Sequence, residues 1–496
     1  MLVMASFSAF SQNYEINLTI NTRNDTVLLG HFRAGREHMR VNDTVILVNG
    51  QGVFRGNRLP AGQYFLASGG RFLFCFLIGD NQQFGIVADT ADFNLTQFTS
   101  SPDNDVFFEF KRYRDNRIRQ QRQLSEQIQN ATSDDERNEI HAKWQDLNNE
   151  FIGFLEQLIN DNGNLYASKV IRTNIPAEVY IPEPPRDADG NITDPNFQWR
   201  WWRANFFKNL DIFDPDMLRT EHYEATLMRY ITAVIPQHTD SIRVEIDKIL
   251  TRAQANEEIF RFVLPTIFNH YARRMSEVIR EGFVVPENLY IHIAERWWIP
   301  YATWSSDEFI ENLKERVANT KPTLIGNHAP PIPMMMVLPD DHFRAAALDT
   351  AIKFDLQAGN MINDFRRELL NNRYTVLYFW DFTCGHCRTS IQELFRIQQE
   401  FKNYGLQAIT IQLHLSERQD KGRWIDFVNE QNLFGTGWYN AWSPFTDFQE
   451  FRRFYNPLNI VPVAYLLDEN GYIVFRNIHP ENVRDFISAQ TMVRRE

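Results

Sequence analysis

Tyr374-Thr375-Val376-Leu377-Tyr378-Phe379-Trp380 is followed after three residues by Cys384-Gly385-His386-Cys387, and then by Arg388-Thr389-Ser390-Ile391-Gln392-Glu393-Leu394-Phe395-Arg396-Ile397. The first segment is short, apolar and rich in β-formers, so it reads as a buried strand. The last reads as a helix. The two thiols sit three positions apart, so one helical turn brings them into bonding range. The first thiol falls at the helix N-terminus, where unpaired backbone N–H groups favour the thiolate, the reactive form. A strand, a C-x-x-C and a helix in that order give the geometry of a dithiol–disulfide exchanger.

Other readings of the motif fit less well. A structural zinc needs four ligands, normally with a second Cys or His pair, and the only further cysteine, Cys75, lies far upstream. Haem attachment needs a histidine directly after the second cysteine, where Arg388 stands. A purely structural disulfide across so tight a loop gains little loop-closure entropy. No metal and no organic cofactor is expected. The redox-active pair Cys384–Cys387 takes the place of one.

Working outward, 496 residues are too many for one ordinary domain and suggest about three. Hydrophobic residues at 43% and charged residues at 23% fit a soluble globular chain, and 40 phenylalanines imply bulky cores. A net charge of −12 argues against nucleic acid as a partner, since phosphate binding needs a basic face. No run is long and apolar enough for a transmembrane helix. Met1 to Ser11 is apolar and uncharged and ends Ala9-Phe10-Ser11, a small-x-small pattern, so residues 1–11 read as the remnant of a signal peptide. With three cysteines the chain is not stapled by disulfides. Cys75, inside Phe72-Leu73-Phe74-Cys75-Phe76-Leu77-Ile78, reads as an inert core residue.

Residues 12–100 read as an all-β sandwich or small barrel. Strands are expected at Tyr14–Ile20, Asp25–Phe32, Thr44–Val48, Gln63–Ala67, Arg71–Ile78 and Phe84–Ala88, with a hairpin signal at Asn49-Gly50. Residues 101–320 read as all-α. Ser133 to Glu136 is a capping box that opens a helix with Ile140, Trp144, Leu147, Phe151, Leu155 and Leu158 on one stripe, and Val106–Ile128 is its antiparallel partner. Ser305 and Glu308 make a second capping box. Trp199-Arg200-Trp201-Trp202-Arg203 could stack a base or a sugar, but such clusters more often pack helices, as does Trp297-Trp298. Ala329-Pro330-Pro331-Ile332-Pro333 cannot be helical and marks the entry to an α/β region over 321–496.

This C-terminal region resembles the thioredoxin superfamily, most of all the periplasmic thiol–disulfide oxidoreductases of the TlpA and ResA type. Phe379-Trp380, Cys384-Gly385-His386-Cys387 with Arg388, Val461-Pro462 and the hairpin Leu466-Leu467-Asp468-Glu469-Asn470-Gly471 carry the resemblance over residues 325–496. It implies a thioredoxin fold with a cis Pro462 facing the two cysteines. Val461 would then offer its backbone to the partner's mixed disulfide, with Trp380 beneath the groove and Thr383 beside it. It also implies a periplasmic or secreted protein of a Gram-negative bacterium. The sequence departs from the pattern at three places. Thr383 replaces the usual Trp, Tyr378 stands where thioredoxin buries an acid, and Gln392 replaces a helix-kinking Pro. The Gly-His dipeptide resembles that of protein disulfide isomerase.

The expectation is a thiol–disulfide oxidoreductase in which Cys384 attacks, His386 and the helix N-terminus activate it, and Cys387 resolves. Its partners would be protein thiols or disulfides and a redox partner protein. The rival is a non-enzymatic binding or scaffold protein that uses the thioredoxin-like fold to dock partners. A peroxidase of the peroxiredoxin kind needs Pro-x-x-x-Thr-x-x-Cys, and here Thr383 directly adjoins Cys384.

Overall fold

Apolar and polar residues alternate along Tyr14–Asn21 (β1), and the strand buries Tyr14, Ile16, Leu18 and Ile20 on one side. The computed structural model describes residues 13–22, 24–33, 39–275, 284–331, 334–337, 360–362, 372–413, 418–442, 454–455 and 461–492. The signal-peptide stretch 1–11 and the linker residues Ile332-Pro333 lie outside them. The chain divides into two compact units, residues 1–235 with 251–262, and residues 236–250 with 263–496.

In the first unit β1 is joined by β2 (Thr26–Phe32), β3 (Met39–Ile46), β4 (Gln51–Gly56), β5 (Gly62–Ser68), β6 (Arg71–Ile78), β7 (Gln83–Asp89) and β8 (Gln97–Thr99). They form two four-stranded sheets, in the orders β4-β1-β7-β8 and β3-β2-β5-β6. Phe76 of β6 meets Phe84 of β7 edge to face at 6.1 Å, so the two sheets share a core. Asn49 and Gly50 both have positive φ, 54° and 77°, and close the turn from β3 into β4.

The αα-hairpin of this unit is α1 (Pro102–Asn130) and α2 (Asp134–Asp161). Ser133 caps α2 by accepting from the Glu136 N–H at 3.2 Å, while Glu136 reaches back to the Thr132 N–H at 3.0 Å. In the helix Phe197–Asn205, the guanidinium of Arg203 lies 5.5 Å from the Trp199 ring, and Trp202 meets Phe206 edge-on at 5.8 Å.

In the second unit the helix Asp307–Thr320 is capped by Ser306, not by Ser305. Ser306 accepts from the Phe309 N–H, and the Ser305 hydroxyl is already engaged by Trp298 Nε1 at 3.0 Å. Two adjacent serines offered the same cap, and the indole took one of them. Trp297 and Trp298 are buried, with Trp297 donating to Asp247 at 2.6 Å.

Among the described residues, the rest of this unit is built on a seven-stranded sheet. Its strands are β9 (Met334–Val337), β10 (Asn360–Ile362), β11 (Tyr374–Trp380), β12 (Leu406–Gln412), β13 (Trp438–Trp442), β14 (Val463–Asp468) and β15 (Ile473–Arg476). Their order is β10-β9-β13-β12-β11-β14-β15. The central strand β11 pairs in parallel with β12 and antiparallel with β14. A parallel pair cannot be closed by a tight turn, and the helix Gly385–Phe401 lies between β11 and β12 in the chain. Both faces of β11 are covered. Val376, Tyr378 and Trp380 pack with Cys387, Ile391 and Leu394 of that helix. Leu377 and Phe379 pack on the opposite face with Ile409, Ile411 and Tyr455. This accounts for the unbroken apolar run that made the strand legible. The layout is N-terminal β-sheets, a helical region and a C-terminal α/β domain of thioredoxin-like fold.

Candidate active site

β11 ends at Trp380, and three residues carry the chain into the helix Gly385–Phe401. Asp381 shapes that turn. Its carboxylate accepts from the Thr383 N–H at 2.8 Å and from the Thr383 hydroxyl at 2.7 Å, and its carbonyl accepts from the Cys384 N–H at 3.0 Å. The Phe382 N–H is held by Gln412 Oε1, at the end of β12, at 2.9 Å. Cys384 is thereby set as the N-cap of the helix, with extended backbone (φ −79°, ψ 117°). Its sulfur accepts from the Cys387 N–H at 3.4 Å. An N-cap acceptor normally has an oxygen. Here it is a sulfur, and the first-turn N–H that would otherwise be orphaned points at it.

The two thiols differ in surroundings. Cys384 is half-buried and Cys387 is fully buried, and both are free thiols. Burial pushes the Cys387 thiol up to about 12. A backbone hydrogen bond at Asp381 opposes the rise, and the neighbouring Cys384 sulfur adds to it. His386 is exposed in the first helical turn. Trp380 is fully buried, so it forms the floor and offers no surface to a substrate, while Thr383 is exposed.

The Val461–Pro462 peptide is cis and leads directly into β14. In that pairing Phe379 stands opposite Val463, which places Pro462 beside the end of β11 from which Cys384 departs. Val461 packs against the cluster that contains Cys387, and Cys384 sits at the edge of the same cluster. Cys384, Cys387, Trp380 and Val461 are therefore brought together, with Pro462 next to them in register.

Tyr378 was read only as a missing acid. Its hydroxyl is buried among this cluster beside the Ser390 side chain. Burial drives its pKa upward, and Cys387 and Cys384 add to the rise. Sequence reasoning also missed Asp381 and Gln412. The pattern Asp381-x-Thr383 just after a strand is an Asx-turn signal that could have been used. Gln412 gives no local signal, because its partner is thirty residues away in sequence.

Residues 347–475, about a quarter of the chain, match the AhpC/TSA family, and this stretch spans both cysteines and Pro462. No curated protein matches the chain. Among solved structures, it is similar to a thioredoxin-like protein from Bacteroides caccae at 15% identity, covering 62% of this chain and 98% of that one, with a TM-score of 0.40. It is also similar to the thioredoxin domain of a thiol-disulfide oxidoreductase from Bacteroides vulgatus at 17% identity, covering 34% of this chain and 96% of that one, with a TM-score of 0.26. A thiol:disulfide interchange protein from Bacteroides sp. is similar at 17% identity, covering 34% and 89%, with a TM-score of 0.24.

Proposed function

We propose that the protein is a thiol–disulfide oxidoreductase that exchanges disulfides with protein substrates through Cys384 and Cys387. The carrying observation is the asymmetry of the pair, an accessible sulfur at a helix N-terminus that accepts an N–H, above a fully buried thiol. In the reducing direction the Cys384 thiolate attacks a substrate disulfide. The substrate S–S bond breaks, one substrate sulfur leaves as thiolate, and a mixed disulfide forms on Cys384. Cys387 loses its proton and attacks the Cys384 sulfur. The mixed disulfide breaks, the second substrate thiolate leaves, and the Cys384–Cys387 bond forms. Two electrons have passed to the substrate, and a dithiol redox partner must return them. The opposite direction runs the same steps backward.

Val461 and Pro462 border the groove and His386 supports the thiolate form of Cys384. No metal or organic cofactor takes part, because both electrons reside on sulfur. By the resemblance the compartment is the periplasm or the cell exterior. Among the described residues no helix is long and apolar enough to cross a membrane.

Insulin reduction with dithiothreitol tests the activity, and trapping tests the order of attack. The wild type should accelerate insulin precipitation and Cys384→Ala should not. Cys387→Ala should accumulate mixed disulfides with insulin chains. Equal trapping by both variants would reject the assignment, and a wild type no faster than dithiothreitol alone would favour the scaffold reading.

A further inference from the structure

The first unit, which does not contain the cysteine pair of the motif, has a cavity of its own. A cavity of about 390 Å³ opens between the β3-β2-β5-β6 sheet and α1. Its walls are aromatic, with Phe32, Phe72, Phe74 and Phe93, and α1 contributes Lys111, Arg114 and Asp115. Met39 and Phe72 stand at its mouth with about half of their surface exposed, at 51% and 49%. This size is within the range of small-molecule pockets.

Lys111 is the feature the fold does not account for. It is only 6% exposed. Its Nζ lies 4.0 Å from the centre of the Phe108 ring and 3.4 Å from the Cys75 carbonyl oxygen. Those contacts hold the ammonium in place, but no carboxylate pairs with it among the described residues. Arg114 beside it differs, with Asp115 at 3.3 Å and Glu221 at 4.0 Å. Lysine is almost never buried this far unless paired, and an ammonium withdrawn from water without a counter-charge is costly. One carbonyl and three ring faces, Phe108 at 4.0 Å with Phe74 at 5.9 Å and Phe107 at 6.0 Å, repay only part of that cost. Burial accordingly lowers the proton affinity of Lys111. A carboxylate brought into the cavity would supply what is missing. The aromatic walls select against a bare inorganic anion and for one with an apolar body.

We infer that this cavity binds a small amphipathic carboxylate, with its apolar body against Phe72 and Phe74 and its carboxylate on Lys111. The site is independent of the redox chemistry, so either reading can fail alone.

Calorimetric titration of the full chain with decanoate tests it, with decanol as the uncharged control. The wild type should bind decanoate saturably. Lys111→Met keeps the bulk and removes the charge, so it should weaken decanoate by at least about tenfold, the worth of a charge-assisted contact, and leave decanol unchanged. Lys111→Met should also melt no lower than the wild type, since a buried unpaired charge is gone. If that variant does not fold, Phe72→Asp at the exposed mouth serves instead. It should weaken decanoate and leave a decylammonium probe no weaker. Absence of saturable decanoate binding up to about 1 mM, or equal decanoate affinity in wild type and variant, would overturn the site.

Discussion

Burial pushes the Cys387 thiol up to about 12, so at neutral pH it is held as a thiol. If Cys387 resolves the mixed disulfide as proposed, its attack waits for the small thiolate fraction, which grows tenfold per pH unit below the pKa. The release of thionitrobenzoate from a preformed Cys384–thionitrobenzoate disulfide should accelerate by about one log unit per pH unit between pH 7 and 9. A pH-independent release would show that burial does not govern the resolving step. Stability follows the same proton. The folded-state value lies above that of an unfolded cysteine, about 8.5. This contribution is therefore fully present below about pH 8.5 and is lost as pH rises toward the folded value. The oxidised protein carries no such thiol, so its stability relative to that of the reduced protein should rise above that pH. On the proposed mechanism His386 acts on the other sulfur. A histidine beside the N-terminal thiolate stabilises the reduced pair and makes it more oxidising. By analogy with the isomerase dipeptide, a potential of about −180 to −230 mV is expected, against about −270 mV for thioredoxin. His386→Pro should lower it by tens of millivolts, where about 30 mV corresponds to 1.4 kcal/mol. Equilibration in glutathione buffers reads this directly, and an unchanged potential would remove His386 from the mechanism.

At the scale of elements, legibility followed burial. β11 was readable to the residue because a strand covered on both faces is apolar throughout. The helix after the cysteine pair was readable from Arg388 on, but it begins at Gly385, since the N-cap is a cysteine and gives no capping signal of the usual kind. β3 is longer than read because its residues are mostly exposed, so no alternation marks Met39 to Asp43. β4 went unread because Gly52 and Gly56 depress β propensity, yet Phe54 is buried and the strand pairs with β1 from Tyr14 to Thr19. β13 lies between β9 and β12 in the sheet, and its Trp438 and Trp442 gave no pattern that tells strand from loop over five residues. The cysteine pair was legible because its chemistry is local. Asp381, Gln412 and Tyr378 were not, because each matters only once β11, β12 and the helix are assembled.

At the scale of the second unit, the thioredoxin-like sheet is tied to the helix Pro286–Ile293 by an ion pair, Arg476 to Glu287 at 3.0 Å. Both side chains are largely buried, at 8% and 14% exposure. Asn288, on the same helix, donates to the Ile325 carbonyl at 3.0 Å. Burial raises the Glu287 pKa despite the opposing pull of Arg476 and Arg316. The charged pair is therefore held against a desolvation cost, and removing either partner leaves a buried charge behind. Glu287→Gln leaves the buried Arg476 guanidinium without its partner and should also destabilise. Arg476→Met leaves the carboxylate buried with only Arg316 to offset it and should cost about 3–5 kcal/mol near neutral pH. The sign of the pH dependence follows from the raised value. A carboxyl whose folded pKa lies above its unfolded value of about 4.3 favours folding below that value and loses this as pH rises. The Arg476→Met penalty should accordingly shrink as pH falls and Glu287 takes up a proton. The double variant should recover much of the loss at every pH. Urea denaturation of the four proteins between pH 4 and 8 measures this. A penalty for Arg476→Met that is the same at both ends, or one that Glu287→Gln does not relieve, would show that the helix is held to the sheet by packing and not by this pair.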